Sequence, residues 1–141
     1  MYNAREMSDE MKKCRIQMSK RSDAQRGIVD KSSYIANVTN ENNILELQYQ
    51  DENAMKFVVK YDNQSVKMKC IGETTSSLDL VLHTWTNVEI TTPFGNMLLK
   101  SRALKIEHSK NHLLVCYELN DGNERVDIIQ IQWDIYWDSI S

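Results

Sequence analysis

Apolar side chains recur at every second position along most of this chain, and that period decides the fold class. Tyr34, Ala36 and Val38 form one such row, and Leu45, Leu47 and Tyr49 form the next. Met55, Phe57, Val59 and Tyr61 repeat it, as do Val66, Met68 and Cys70, and then Leu78, Leu80 and Leu82. A period of two places one set of side chains on one face of a strand, whereas a helix face needs 3.6. Between the rows stand turn-forming clusters: SDAQRG, TNENN, QDEN, YDNQS, GETTSS, HSKNH and LNDGNE. Their spacing, roughly eight to twelve residues, is that of an all-β sandwich or barrel. Connections this short make neighbours in sequence antiparallel neighbours in space.

Two strands are expected to be long. One runs from about residue 87 to 108, interrupted at Pro93 to Gly95; the other runs from about residue 124 to 137. The second carries Ile129, Ile131, Trp133, Ile135 and Trp137 on one face and Gln130, Gln132 and Asp134 on the other. Long strands in a small protein wrap a closed sheet, which favours a barrel over a sandwich. The interruption, TTPFGNMLLK, holds the only proline of the chain. Proline lacks a ladder donor and glycine accepts unusual φ, so Pro93, Phe94 and Gly95 read as a structural corner, a kink or tight turn. Phe94 is expected to pack inward or to cap one end of the barrel. Residues 1–11 lack the alternation and read as an N-terminal extension, frayed or briefly helical; residues 12–141 read as the barrel domain.

A chain of 141 residues suffices to bury one core without disulfides or metals. Its 17 basic and 20 acidic residues are interspersed and sum to −3, leaving no basic stripe for a nucleic acid. No apolar run reaches the length of a membrane span, and the start MYNAREMSDEMKK has no apolar signal core. The expectation is a cytoplasmic protein with neither nucleic acid nor membrane as partner. Cys14, Cys70 and Cys116 are odd in number and far apart, form no CxxC, and read as buried free thiols.

The stretch TPFGNMLL at 92–99, the later LLVCYEL with its turn NDGNE, and the terminal VDIIQIQW resemble the YwiB-like family, a small bacterial family of unknown function. The resemblance spans roughly residues 12–137. It implies a single antiparallel up-and-down barrel of the calycin-like, or lipocalin-like, kind. The lysine-rich start common in that family is matched by Met11-Lys12-Lys13. There are departures: Cys70 stands two residues before Gly72 where the family has arginine, and Tyr49-Gln50-Asp51 stands where it has a tyrosine-glutamate pair. The resemblance implies a fold and assigns no activity.

The catalytic patterns are incomplete. His108 and His112 have HxxxH spacing but flank a turn, with no third ligand beside them, so they read as solvated turn histidines and not as a metal site. His83 beside Trp85 reads as a lone, partly buried histidine. Asp51 and Glu52, and Asp121, Glu124 and Asp127, lie on or near loops, where acids are ordinarily solvated. No GxGxxG, phosphate-cradling lysine loop or GxSxG elbow occurs, so neither an enzyme nor a cofactor is expected.

The aromatic side chains carry the functional reading. Tyr49, Phe57, Tyr61, Trp85, Phe94, Tyr117 and Trp133 are expected at the barrel interior or mouth, where they either fill the core or line a cavity for a small apolar or amphipathic ligand. The alternative is an interaction or assembly module with a solid core. There the Ile128, Gln130 and Gln132 face of the last strand would meet a partner or form a homodimer.

Overall fold

The structure, a computed structural model, describes residues 11–137. The expected N-terminal extension lies outside the described residues apart from Met11. Ten strands follow in chain order: β1 (Lys12–Ser22), β2 (Val29–Glu41), β3 (Ile44–Gln50), β4 (Lys56–Tyr61), β5 (Ser65–Ile71), β6 (Thr75–Val81), β7 (Thr86–Thr92), β8 (Gly95–Ser109), β9 (His112–Asn120) and β10 (Arg125–Tyr136). Each pairs antiparallel with the next, and β10 returns to β1, closing the sheet into an up-and-down barrel. One short 3-10 turn, Asp23–Gln25, interrupts the β1–β2 connection.

Turn chemistry fixes the hairpins locally. Asn42 and Asn43 join β2 to β3 with φ of 55° and 65°, the pair of left-handed residues that a two-residue turn matched to strand twist requires. Asn tolerates that region because its short amide can bond locally. At the β9–β10 turn Gly122 has φ of 104°, and the Asp121 carboxylate accepts from the backbone N–H of Asn123 and Glu124 at 2.9 and 3.0 Å. In the β3–β4 connection Asp51 accepts from Asn53 and Met55 in the same way, and Ala54 is held at φ of 63°.

The long strand expected at 87–108 is two strands. Pro93 and Phe94 form a tight hairpin between β7 and β8, with Thr92 opposite Gly95. The Thr92 hydroxyl accepts from the Phe94 N–H and donates to the Gly95 carbonyl, stitching the turn. Gly95 sits at φ of 133°, where a side chain would be strained. The corner is therefore present, but Phe94 neither packs inward nor caps the barrel: it is 98% exposed at the hairpin tip. The side-chain phase of two is lost within a turn, so alternation carried across it could not place this ring.

The barrel is not filled evenly. At the end where β1 begins and β10 finishes, inward-facing residues are sealed: Cys14, Ile16, Val38, Leu45, Leu47, Val66, Leu80, Leu113 and Trp133 are all 1% exposed or less. At the other end, bounded by the connections at 23–28, 51–55, 72–74, 93–94 and 121–124, the same alternate positions are only half-buried. Met18, Tyr34, Phe57, Met68 and Leu78 pack on the core cluster yet remain partly accessible, and Lys20 on the same inward row is exposed. These half-buried positions make this the more accessible, open half of the barrel and the sealed row its base, although Tyr61, Ile106 and Trp137 are also partly accessible toward the packed end.

Outside the wall, Glu118 of β9 is almost fully covered. It accepts from Arg102 of β8 at 2.6 Å and from Arg125 of β10 at 3.4 Å. Burial alone would raise its carboxyl, but the Arg102 hydrogen bond, first among the causes, holds it below the usual carboxylate range. Trp85 lies over this group, with the Arg102 guanidinium 4.5 Å from the ring centre. It is 39% exposed and belongs to the outer surface, not to the lumen as expected. It sits in the β6–β7 connection, where strand alternation no longer applies.

Candidate site in the open half of the barrel

The accessible half has an aromatic wall. Tyr34 on β2, Tyr49 on β3 and Phe57 on β4 stack in sequence, with ring centroids 4.9 and 5.0 Å apart and interplanar angles of 25° and 15°. The ladder register produces this order: Ala36 pairs with Tyr49 and Tyr49 with Phe57, while Tyr34 reaches Tyr49 on the diagonal. The next strand continues the row with Cys70 opposite Phe57 and Ser76 opposite Cys70.

The base of the barrel is pinned from β10. The Trp133 indole N–H donates to the Tyr49 hydroxyl at 3.1 Å, and both side chains are buried. Burial pushes the Tyr49 hydroxyl up to about 12, against the opposing effect of that hydrogen bond, so it stays protonated. Tyr117, on β9, is also buried and inward, and its hydroxyl is pushed up by burial. Tyr61 faces inward at the packed end, stacked on His108 with centroids 4.5 Å apart. Of the seven aromatic residues expected here, Tyr49, Phe57, Tyr61, Tyr117 and Trp133 thus point into the barrel, and Trp85 and Phe94 do not.

Tyr34, Met18, Met68, Leu78 and Lys20 complete the lining that the aromatic residues alone left out. Tyr34 was legible from its alternation with Ala36 and Val38. Lys20 was not, because a charged residue on an inward row gives no signal by composition.

The reactive residue types are placed without activation. Burial is the first cause raising the Cys70 thiol, with Asp51 adding and Ser76 opposing, so it is no thiolate at neutral pH. Cys14 is buried as expected, whereas Cys70 and Cys116 are only half-buried, Cys116 on the outer face opposite Gln130; all three are free. His108 and His112 flank the β8–β9 turn but are not simply solvated: His108 is held against Tyr61, and His112 Nδ1 meets Asp134 Oδ1 at 3.0 Å. Burial, then the proximity of His112, lowers the His108 value and keeps it neutral. His83 is exposed on its turn, not partly buried. Among the described residues no three His, Cys, Asp or Glu side chains converge to hold a metal ion.

Asp127 ties the rim together. Its carboxylate accepts from the Ser22 hydroxyl and from the backbone N–H of Ala24 and Ile128. Burial would raise it, but these hydrogen bonds prevail and its value falls. A recess of about 560 Å³ also lies at the packed end, rimmed by Lys12, Thr39, Asn40, Glu41, Lys110, Asn111 and Trp137. That recess is mostly polar and lacks the stacked wall.

Fold and site together define a closed, antiparallel, up-and-down β-barrel of ten strands whose inward face is more accessible toward one end. No described helix is long and apolar enough to cross a membrane. The chain belongs to the family described as Domain of unknown function (DUF1934), which matches residues 15–132. Among solved structures it is similar to the crystal structure of the ywiB protein from Bacillus subtilis, with 18% identity and a TM-score of 0.68, over 91% of this chain and 96% of that one. At that identity the likeness concerns the fold. No curated protein matches the chain.

Proposed function

We propose that the open half of the barrel binds a small amphipathic ligand, and that the protein is a non-enzymatic binding protein of the cytoplasm. The observation that carries this is the ring of inward-facing but accessible side chains above a sealed base. A stacked aromatic wall and the Met18, Met68 and Leu78 side chains offer apolar contact, and Lys20, Ser32 and Ser76 supply polar groups near the mouth. A planar or chain-like apolar body fits the wall, with its polar end toward the rim. A thiol raised by burial and a neutral, stacked histidine supply no nucleophile–base pair, which supports binding over chemistry. Three free thiols support a reducing compartment.

The second reading, an assembly module, draws on the outside of the barrel. The β10 face carrying Ile128, Gln130 and Gln132 is half-buried, whereas the β7–β8 hairpin exposes large apolar side chains. The two readings use different surfaces and are compatible.

A variant carrying Trp85→Phe and Trp137→Phe leaves Trp133, at the base of the barrel, as the sole indole. Its emission, titrated with medium-chain fatty carboxylates, haem and anilinonaphthalene sulfonate, should change saturably for at least one probe. Adding Tyr34→Ser or Phe57→Ser should weaken that probe about tenfold or more. No saturable response to any probe, or a response indifferent to both substitutions, overturns the proposal.

A further inference from the structure

We infer that the free edge of β8 is an interface through which two copies of this chain pair. The inference is independent of the ligand reading, since it rests on backbone pairing outside the lumen. β8 is the longest strand, and its neighbours flank different parts of it. It pairs with β7 from Gly95 to Ser101, but with β9 only from Lys100, opposite Asn120. Residues 95–99 therefore have a strand on one side and none on the other among the described residues. This is an open row of backbone donors and acceptors; β2 has a comparable unpaired stretch at residues 29–35, but that one carries Asp30 and Lys31.

That edge is also apolar. Phe94 is 98% exposed, Leu98 72% and Met97 50%, within one short hairpin. Scattered exposed apolar residues are ordinary, but Met97 and Leu98 on the two faces of a free strand edge, with Phe94 at the adjoining tip, mark an interaction surface. The usual protections are missing: residues 90–99 carry no charge, and the bulge in β8 lies between Ala103 and Lys105, away from the free stretch. Pro93 is in the turn and leaves the edge itself unblocked.

A second copy is the occupant that the sequence of this edge fits. Two identical strands pair antiparallel about a two-fold axis, so each residue meets its mirror position in the partner. An uncharged segment can do this without opposing like charges. Centred on Met97, the midpoint of the free stretch, the pairing sets Leu98 opposite Asn96 and Leu99 opposite Gly95. Lys100, the first charge, is already paired with Asn120 of β9 and lies outside the two-fold segment. Each copy would cover roughly 400 Å² of these three side chains, plus the strand backbone. The total is near the lower bound for stable association, so the dimer should be weak, with Kd on the order of 10 µM.

Sedimentation equilibrium of the full chain, from about 1 to 500 µM, tests this. The expected result is a reversible monomer–dimer equilibrium that Leu98→Lys weakens at least tenfold and Phe94→Ser weakens clearly. Ile35→Ser, an exposed apolar position on β2, should leave it unchanged. Circular dichroism and melting of each variant at low concentration establish that the fold persists. A wild-type chain that stays monomeric throughout, or a dimer indifferent to Leu98→Lys, overturns the inference. Loss of the dimer in Ile35→Ser alone would do the same, by placing the interface on β2.

Discussion

Replacing Tyr49 by phenylalanine removes one oxygen and little volume, which makes it a clean probe of the barrel base. That oxygen accepts the Trp133 indole N–H at 3.1 Å, where Tyr49 is 7% and Trp133 1% exposed. Without it the indole keeps its buried position but loses its acceptor. Leaving a buried donor unpaired costs about 1–3 kcal/mol, more than the net value of an ordinary hydrogen bond. In a domain of this size that corresponds to a melting temperature lower by roughly 3–10 °C. Equilibrium unfolding in urea, followed by far-ultraviolet dichroism, measures the loss directly. Trp133→Phe should itself cost roughly 1–3 kcal/mol through lost packing and a small void. In that background the donor is gone, so adding Tyr49→Phe should cost at least about 1 kcal/mol less than it does in the wild type. A Tyr49→Phe penalty below about 0.5 kcal/mol, or a cycle without coupling, refutes the hydrogen bond as the pin of the base.

Phe94→Ser should change the unfolding free energy of the dilute monomer by less than about 0.5 kcal/mol, because the ring is almost wholly in water; a core-sized loss in a urea titration would contradict its placement. Ala54→Gly should stabilise by about 0.5–1 kcal/mol, since alanine is held at φ of 63°, and a calorimetric melting temperature that falls would show that this turn is not strained. Glu118 is held below the usual carboxylate range, first by its bond from Arg102, so its contribution is complete above the unfolded value of about 4.3 and lost as pH falls through the lower folded value. Glu118→Gln should therefore destabilise at neutral pH and flatten the fall in stability below about pH 4.3. The residual slope comes from Asp62, Asp121 and Asp127, also lowered. Melting curves at pH 3–7 with parallel slopes in mutant and wild type would count against this account.

The barrel was readable because a closed sheet has one inside and one outside, and a period of two records that division in every strand. Turns were readable where chemistry demands them, as at Asn42-Asn43 and Gly122. Phe94 and Trp85 were misplaced for one reason: both sit in connections, where the phase set by a strand no longer points anywhere. The unequal filling of the barrel was hidden for another. Which inward residues share a level depends on the stagger between strands, and that stagger is a property of the closed sheet, not of any segment. Tyr34 illustrates the difference, since its face was plain from Ala36 and Val38 but its stacking on Tyr49 needed the register.

The pairing of β1 with β10 has a consequence for how the chain acquires its structure during synthesis. Ladder partners run from Arg15 with Tyr136 to Ser22 with Ile129, over a hundred residues apart. Bringing such distant segments together carries a loop entropy that grows only slowly with length, but it delays the most non-local contacts and makes folding slow. On the ribosome, hairpins from β1–β2 onward can form as they emerge, yet β1 keeps a bare edge until the final strand arrives. That strand also brings Ile129, Ile131, Trp133 and Ile135 to the core. It acts as a latch and a plug at once: a nascent chain lacking β10 has neither a closed ring nor a finished interior, and its exposed edge is an invitation to aggregate until the twelve residues of β10 are made.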